Sequence, residues 1–157
     1  MSPALDRTDR ALLRLLQAEG RLTNAELAAR VSLSPSATLR RVQRMEASGV
    51  IAGYGARLDA RALGLDLSAF VRVQLAAHTR AAIERFVQVV LNADEVVACH
   101  ALTGDMDYLL EVHVADLDHF SRFLLDRLLN DAGVADVNSS FVLRTVKTAR
   151  GLPLREP

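Results

Sequence analysis

Residues 22–51 read LTNAELAARVSLSPSATLRRVQRMEASGVI, two short helical patterns separated by a tight turn. Thr23 is an N-cap residue, and Glu26 three positions later completes a T-x-x-E capping box. Leu22 before the cap and Leu27 after it form a hydrophobic staple. The helix then runs through Ala28, Ala29 and Arg30 to about Val31, and Leu33 in the turn is expected to be a buried peg. Ser34 caps the second helix, and Pro35 occupies its first position, where a missing N–H costs nothing. Gly49 suits the left-handed residue that ends a helix before Val50 and Ile51 return to the core.

With residues of the second helix placed about 100° apart, Thr38, Leu39, Val42 and Met45 lie along one side. Arg40 and Arg44 fall opposite, flanked by Ser36, Ala37 and Arg41. This is the sequence form of a helix-turn-helix, which places one helix in the major groove of DNA. Arginines at i and i+4 can reach the O6 and N7 of guanine, whereas Arg41, towards the side, suits a phosphate. The candidate DNA contacts are Ser34, Ser36, Thr38, Arg40, Arg41 and Arg44, with Thr38 pointing nearer the core than the groove. A lone charged helix is ordinarily only a solvated face. Here the capping box, the Ser-Pro start, the turn and the arginine face coincide.

The composition neither demands nor forbids this reading. The 157 residues suffice for one medium domain or two small ones, and half are hydrophobic. The net charge is zero, but residues 1–60 carry nine basic against six acidic residues, and residues 61–157 carry ten against thirteen. Binding is therefore expected to depend on a few placed arginines and on oligomerisation rather than on a broad basic patch. A single cysteine, Cys99, excludes an intrachain disulfide framework and fits a reducing cytoplasm. With no N-terminal apolar h-region and no run of eighteen apolar residues, neither secretion nor membrane spanning is expected.

Upstream, Leu5 and the N-cap candidate Asp6 precede a stripe of Ala11, Leu12, Leu15 and Leu16 that stops at Gly20, a first helix behind the helix-turn-helix. Downstream, Ile51–Leu58 reads as a short strand or wing and residues 59–66 as a linker. Leu67–Ala77 alternates as a strand. Ile83, Phe86, Val87, Val90 and Leu91 then mark an amphipathic helix. Val96–Leu102 and Met106–Val114 are strands joined by Thr103-Gly104-Asp105, a hairpin signal. Leu117, Phe120, Leu124 and Leu128 mark another helix, capped by Asp116 and ending before Gly133, and Val134–Lys147 is a last strand. The order βαββαβ predicts an α+β chain: a winged helix-turn-helix over 1–58 joined to a ferredoxin-like, ACT-like sandwich over 67–150. The free sheet face is expected to be apolar enough to invite a dimer, and residues 151–157 read as a loose tail.

Two stretches resemble the two halves of the Lrp/AsnC, or feast/famine, transcriptional regulators. LDRTDRALLRLLQAEGRLTNAELAARVSLSPSATLRRVQRMEASGVIAGYGARLD resembles their DNA-binding half. VVACHALTGDMDYLLEVHVADLDHFSRFLLDRLLNDAGV followed by SSFVLRTVK resembles their effector-binding half. The resemblance runs from about Leu5 to Lys147, and TGDMDYLL at 103–110 is its most specific piece. It implies a cytoplasmic, nucleoid-associated homodimer that assembles further, commonly to octamers. Its implied partners are double-stranded, partly palindromic DNA and a small effector, usually an amino acid, bound between C-terminal domains.

By the same resemblance the hairpin Thr103, Gly104, Asp105, Asp107 and Tyr108 is the effector loop, and Ser139 and Ser140 on the last strand line the same cleft. Gly104 permits close approach of backbone to ligand, and Asp105 or Asp107 can accept from an ammonium group. By chemistry alone the segment is an ordinary hairpin in which Gly and Asp supply positive φ. His78, His100, His113 and His119 lack a metal-ligand spacing such as H-x-x-x-H, although His100 and His113 on neighbouring strands can approach each other. Cys99 reads as a small core residue, and Phe86, Phe120 and Phe123 have core spacing. No cofactor is called for. Two other readings stay open: an enzyme on the same plan resembling sirohaem decarboxylases, and an effector-independent protein that wraps DNA. An enzyme has no reason to keep Arg40, Arg41 and Arg44 together on an exposed face.

Overall fold

The computed structural model describes residues 4–130, 132–148 and 151–154. The chain divides into two compact units, residues 1–57 with 147–157 and residues 58–146.

The first unit is three helices. Helix α1 (Arg7–Ala18) is capped by Asp6, whose side chain accepts from the Asp9 N–H while the Asp9 carboxylate accepts from the Asp6 N–H, a capping box. Helix α2 (Asn24–Val31) carries the Thr23–Glu26 box that its sequence announces, and ends on Ser32 at φ 55°. Helix α3 (Pro35–Ala47) starts at Ser34, whose hydroxyl accepts from the Ala37 N–H at 3.2 Å. Leu12, Leu13, Leu27, Val42 and Met45 form the core, with Leu22 and Val31 packed against it. The turn residue Leu33 is only half-buried; α2 ends on the left-handed Ser32, and Val31 supplies the packing instead. Ile51–Leu58 forms no strand, because no described strand of this unit offers it a ladder; Tyr54 instead donates to Glu46 at 2.9 Å. Burial, and then that carboxylate, push the Tyr54 phenol up to about 12.

The second unit is a four-stranded antiparallel sheet in the order β2-β3-β1-β4, with β1 at Leu67–Leu75, β2 at Val96–Ala101, β3 at Tyr108–Val114 and β4 at Val134–Phe141. Helix α4 (Arg80–Leu91) follows β1. Helix α5 (Leu117–Arg122) follows β3 and continues as a π-helical stretch, Phe123–Leu129. The wider π turn lets Phe123 and Leu128, five residues apart, both reach the sheet beside Phe120. Ala69, Val71, Val73 and Leu75 of β1 and Leu110, Val112 and Val114 of β3 point to the helices with Phe86 and Val90. This is the βαββαβ sandwich expected, with three revisions. Strand β4 stops at Phe141; the Val142 N–H still donates to the Ser68 carbonyl, and residues 143–148 are bends and irregular backbone. Leu91 is exposed and Val89 packs in its place. The open face is mixed rather than apolar: Phe70 and Leu109 share it with Arg72, Gln74, Glu111 and His113, which the register places on that side.

Residues 151–154 are not loose. Gln17 binds the Leu152 backbone and Arg14 the Leu154 carbonyl, and the Leu154 side chain packs against the head core. No helix among the described residues is long and apolar enough to cross a membrane.

Candidate DNA interface and effector loop

The sides of α3 follow the sequence wheel at Thr38, Val42 and Met45 and depart from it at Leu39. Thr38 is 0% exposed, beside Val42 and Met45, and Leu39, expected on the buried side, is 43% exposed. Thr38 is therefore part of the helix packing and not a base-reading residue; its direction lies within the buried arc. Arg41 donates to Asp6 at 2.6 Å and to Asp9 at 2.9 Å, and Arg44 donates to Asp9 at 2.5 Å. Asp9 itself is 1% exposed. The side chain that sequence assigns to a phosphate, and one of the two assigned to bases, are in this structure the clamps that fix α3 to the start of α1. Hydrogen bonds from the Asp9 backbone, then from Arg41, hold the Asp6 carboxyl below its ordinary value. Paired with two carboxylates, Arg41 is held in turn above its own.

The remaining exposed face runs through Ser36, Leu39, Arg40, Gln43 and Ala47. Arg40 is exposed, and the ion pairs of α3 among the described residues are those of Arg41 and Arg44. Ser34 faces the same end of α3, with its hydroxyl engaged in the cap and 3.2 Å from the Ser36 hydroxyl. Gln43 is the residue that sequence reasoning missed. It stands three positions after Arg40 and four before Ala47, so its place on the line was available from spacing alone. A Gln amide can pair bidentately with adenine N6 and N7, and an exposed Leu can meet a thymine methyl. The Asn24 amide donates to the Pro35 carbonyl at 2.7 Å and ties the start of α2 to the start of α3.

In the second unit, Thr103, Gly104 and Asp105 form an exposed turn, with Gly104 at φ 116°, a conformation that favours glycine. Asp107 anchors the turn. Its N–H donates to the Val73 carbonyl, and its carboxylate accepts from the Leu75 N–H at 2.7 Å and bonds the His78 ring at 2.8 Å. The Leu75 N–H first, and then His78, hold this carboxyl below its ordinary value. Its oxygens thus position the loop, which leaves Asp105 as the exposed acid. Tyr108 stacks against Phe86, centroids 4.4 Å apart.

Ser139 and Ser140 are not brought to this loop within one chain. They pair with Val71 and Phe70, so they face opposite sides of the sheet. Ser139 is level with Leu110, three residues beyond Asp107 and two strands across, a separation of roughly 14 Å at ordinary strand spacings. His100 pairs with Leu109, four residues from His113, and His113 bonds Ser68 and Glu111 instead. No metal-binding cluster occurs among the described residues. Cys99 lies exposed on edge strand β2 and not in the core. Partial burial of the sulfur raises its thiol.

A helix-turn-helix with a free polar face, on a chain that also carries a ferredoxin-like sandwich, defines a two-domain transcription factor. The winged helix-turn-helix DNA-binding profile matches residues 5–52, and the Lrp/AsnC ligand binding domain profile matches residues 68–152. The Bkd operon transcriptional regulator of Pseudomonas aeruginosa is 42% identical, over 96% of this chain and 98% of that protein. The leucine-responsive regulatory protein of Escherichia coli K12 is 38% identical, over 96% and 92%. Among solved structures, a transcriptional regulator of Neisseria meningitidis in complex with L-methionine superposes with a TM-score of 0.92 at 45% identity, over 96% and 97% of the two chains. A feast or famine regulatory protein of Mycobacterium tuberculosis complexed with L-methionine gives 0.84 at 38%, over 95% and 99%. The chain belongs to the Lrp/AsnC family of DNA-binding transcriptional regulators.

Proposed function

We propose that this regulator reads its operator through the Ser36, Leu39, Arg40 and Gln43 face of α3 and answers to an amino acid bound at the Thr103–Tyr108 loop. The observation that carries the first half is the division of labour among the arginines. Arg41 and Arg44 are held by Asp6 and Asp9, whereas Arg40 projects from the centre of the exposed face. Two relatives of the same fold were solved with L-methionine, which supports an amino-acid effector here. The chemistry of the loop suits one: Asp105 can accept from an ammonium group, and the backbone N–H groups of an open Gly-containing turn can meet a carboxylate. Ser139 or Ser140 joins that site only from a second copy, so the site as a whole implies a dimer, with octamers as the further assembly. A dimer presents two α3 helices to half-sites one helical turn apart. The working place is the cytoplasm, on the nucleoid, and the protein performs no catalysis.

The test is a titration of the protein against its own upstream DNA and a scrambled fragment, with and without L-methionine and a pool of the other amino acids. Arg40→Ala is expected to cost about 1–3 kcal/mol on the native fragment and little on the scrambled one, as a bidentate guanine contact would. Equal loss on both fragments would reduce Arg40 to a phosphate contact. The effector must bind the free and DNA-bound assemblies with different affinity, because equal binding shifts nothing.

A further inference from the structure

The chain leaves the DNA-binding unit at Arg57 and re-enters it at Lys147. Where it returns, the contacts are specific. The Leu152 N–H donates to Gln17 Oε1 at 2.5 Å, and the Leu152 carbonyl accepts from Gln17 Nε2 at 3.3 Å. The amide of one side chain thereby pairs with a peptide group as a neighbouring strand would. Arg14 donates to the Leu154 carbonyl at 3.3 Å. The Leu154 side chain packs on the core of Leu12, Leu13, Leu27, Val42 and Met45. Gly151 stands at φ 115°, a conformation that favours glycine, and a Cβ there would displace the Gln17 amide that holds Leu152. Beside the segment, Leu152 and Leu154 line an open cavity of about 400 Å³ together with α1 and Val50–Tyr54, immediately after α3.

We propose that Gly151–Leu154 is a strap that closes the core of the DNA-binding unit and gives it a second tether to the ligand-binding unit. The face of α1 that carries Arg14 and Gln17 is thus covered by this chain's own C-terminal segment. Tethering raises its effective concentration, so a few hydrogen bonds and one leucine suffice to keep it seated. A domain attached at one end pivots freely about its linker, whereas attachment at two ends restricts the orientations open to α3. The strap thus offers a route, separate from the 58–66 connection, by which the ligand-binding unit governs how the recognition helices are presented.

Two full-length variants test it, Gly151→Val and Gln17→Ala, each followed by hydrogen exchange and by titration with the native upstream DNA. Amide protection in α1 from Leu13 to Leu16 should fall about tenfold in both, roughly the loss of one or two hydrogen bonds. DNA affinity should fall at least threefold, and protection in β1 and β3 should stay unchanged, which also excludes general misfolding. Unchanged α1 protection in both variants would overturn the strap. Reduced protection with unchanged DNA affinity would overturn its part in presenting α3. The DNA arm rests on the reading proposed above. If the parent protein bound no DNA, that reading would fall, while the exchange arm would still decide the strap.

Discussion

Asp9 and Thr38 are the buried polar residues among those described, and they sit on facing helices for opposite reasons. Asp9 accepts from Arg41, Arg44 and the Asp6 N–H, so its charge is compensated on every side. Asp9→Asn keeps the shape and removes the charge that both arginines face. The head should lose about 2 kcal/mol, less than a fully buried pair because Arg44 is half exposed. The released arginines should also strengthen binding to scrambled DNA at low salt and steepen its salt dependence. A salt slope that stays put in Asp9→Asn would show that Arg41 and Arg44 remain withheld from phosphate. Thr38 is the reverse case, a hydroxyl with no hydrogen-bond partner among the described residues. Thr38→Val removes an unsatisfied group at constant volume and should stabilise the head by about 1 kcal/mol without altering DNA affinity. Weaker DNA binding in that variant would return Thr38 to the interface.

Helix ends supply the acid sensitivity of the head. In both capping boxes a backbone N–H is the largest cause of a lowered carboxyl, Asp6 through the Asp9 N–H and Glu26 through the Thr23 N–H. A folded value below the unfolded one stabilises the fold above the unfolded pKa, about 4 for these residues, and this stabilisation is lost as pH falls through the folded value. Helicity of α1 and α2 followed by NMR should therefore decline below about pH 4, and Asp6→Asn should flatten that decline without abolishing the cap. An unaltered acid profile in Asp6→Asn would remove the α1 box from the account. These helix starts were legible in the sequence because caps are local: Asp6, Thr23, Ser34 and Asp116 each bond a backbone N–H within three residues. What was not legible was the matching of one element to another. Arg44 pairs with Asp9 across 35 positions, Asp107 with Leu75 and His78 across about 30, and Gln17 with Leu152 across 135. A helical wheel gives directions and no neighbours. It therefore put Arg44 at the groove.

The two units own separate cores, and their sizes differ. The head rests on Leu12, Leu13, Leu27, Val42 and Met45, whereas the sandwich buries one face of β1 and of β3 under Phe86, Phe120, Phe123 and Leu128. Unfolding should then occur in two steps, the head first, since a small core carries less apolar burial. Each step should respond to its own ligand. Upstream DNA at a hundred times its Kd adds about 2.7 kcal/mol to the head and should raise the lower midpoint by roughly 10 °C. L-Methionine, if it is the effector, should raise the upper midpoint and leave the lower one in place. Calorimetry with each ligand alone checks both. A single transition moved by either ligand would mean that the units unfold together. The two covalent crossings, at Arg57 and at Lys147, would then transmit stability as well as position. The strap makes that distinction measurable, because Gly151→Val releases the segment and changes no buried residue of either core. Two transitions that coincide in the parent and separate in this variant would place the coupling in residues 151–154.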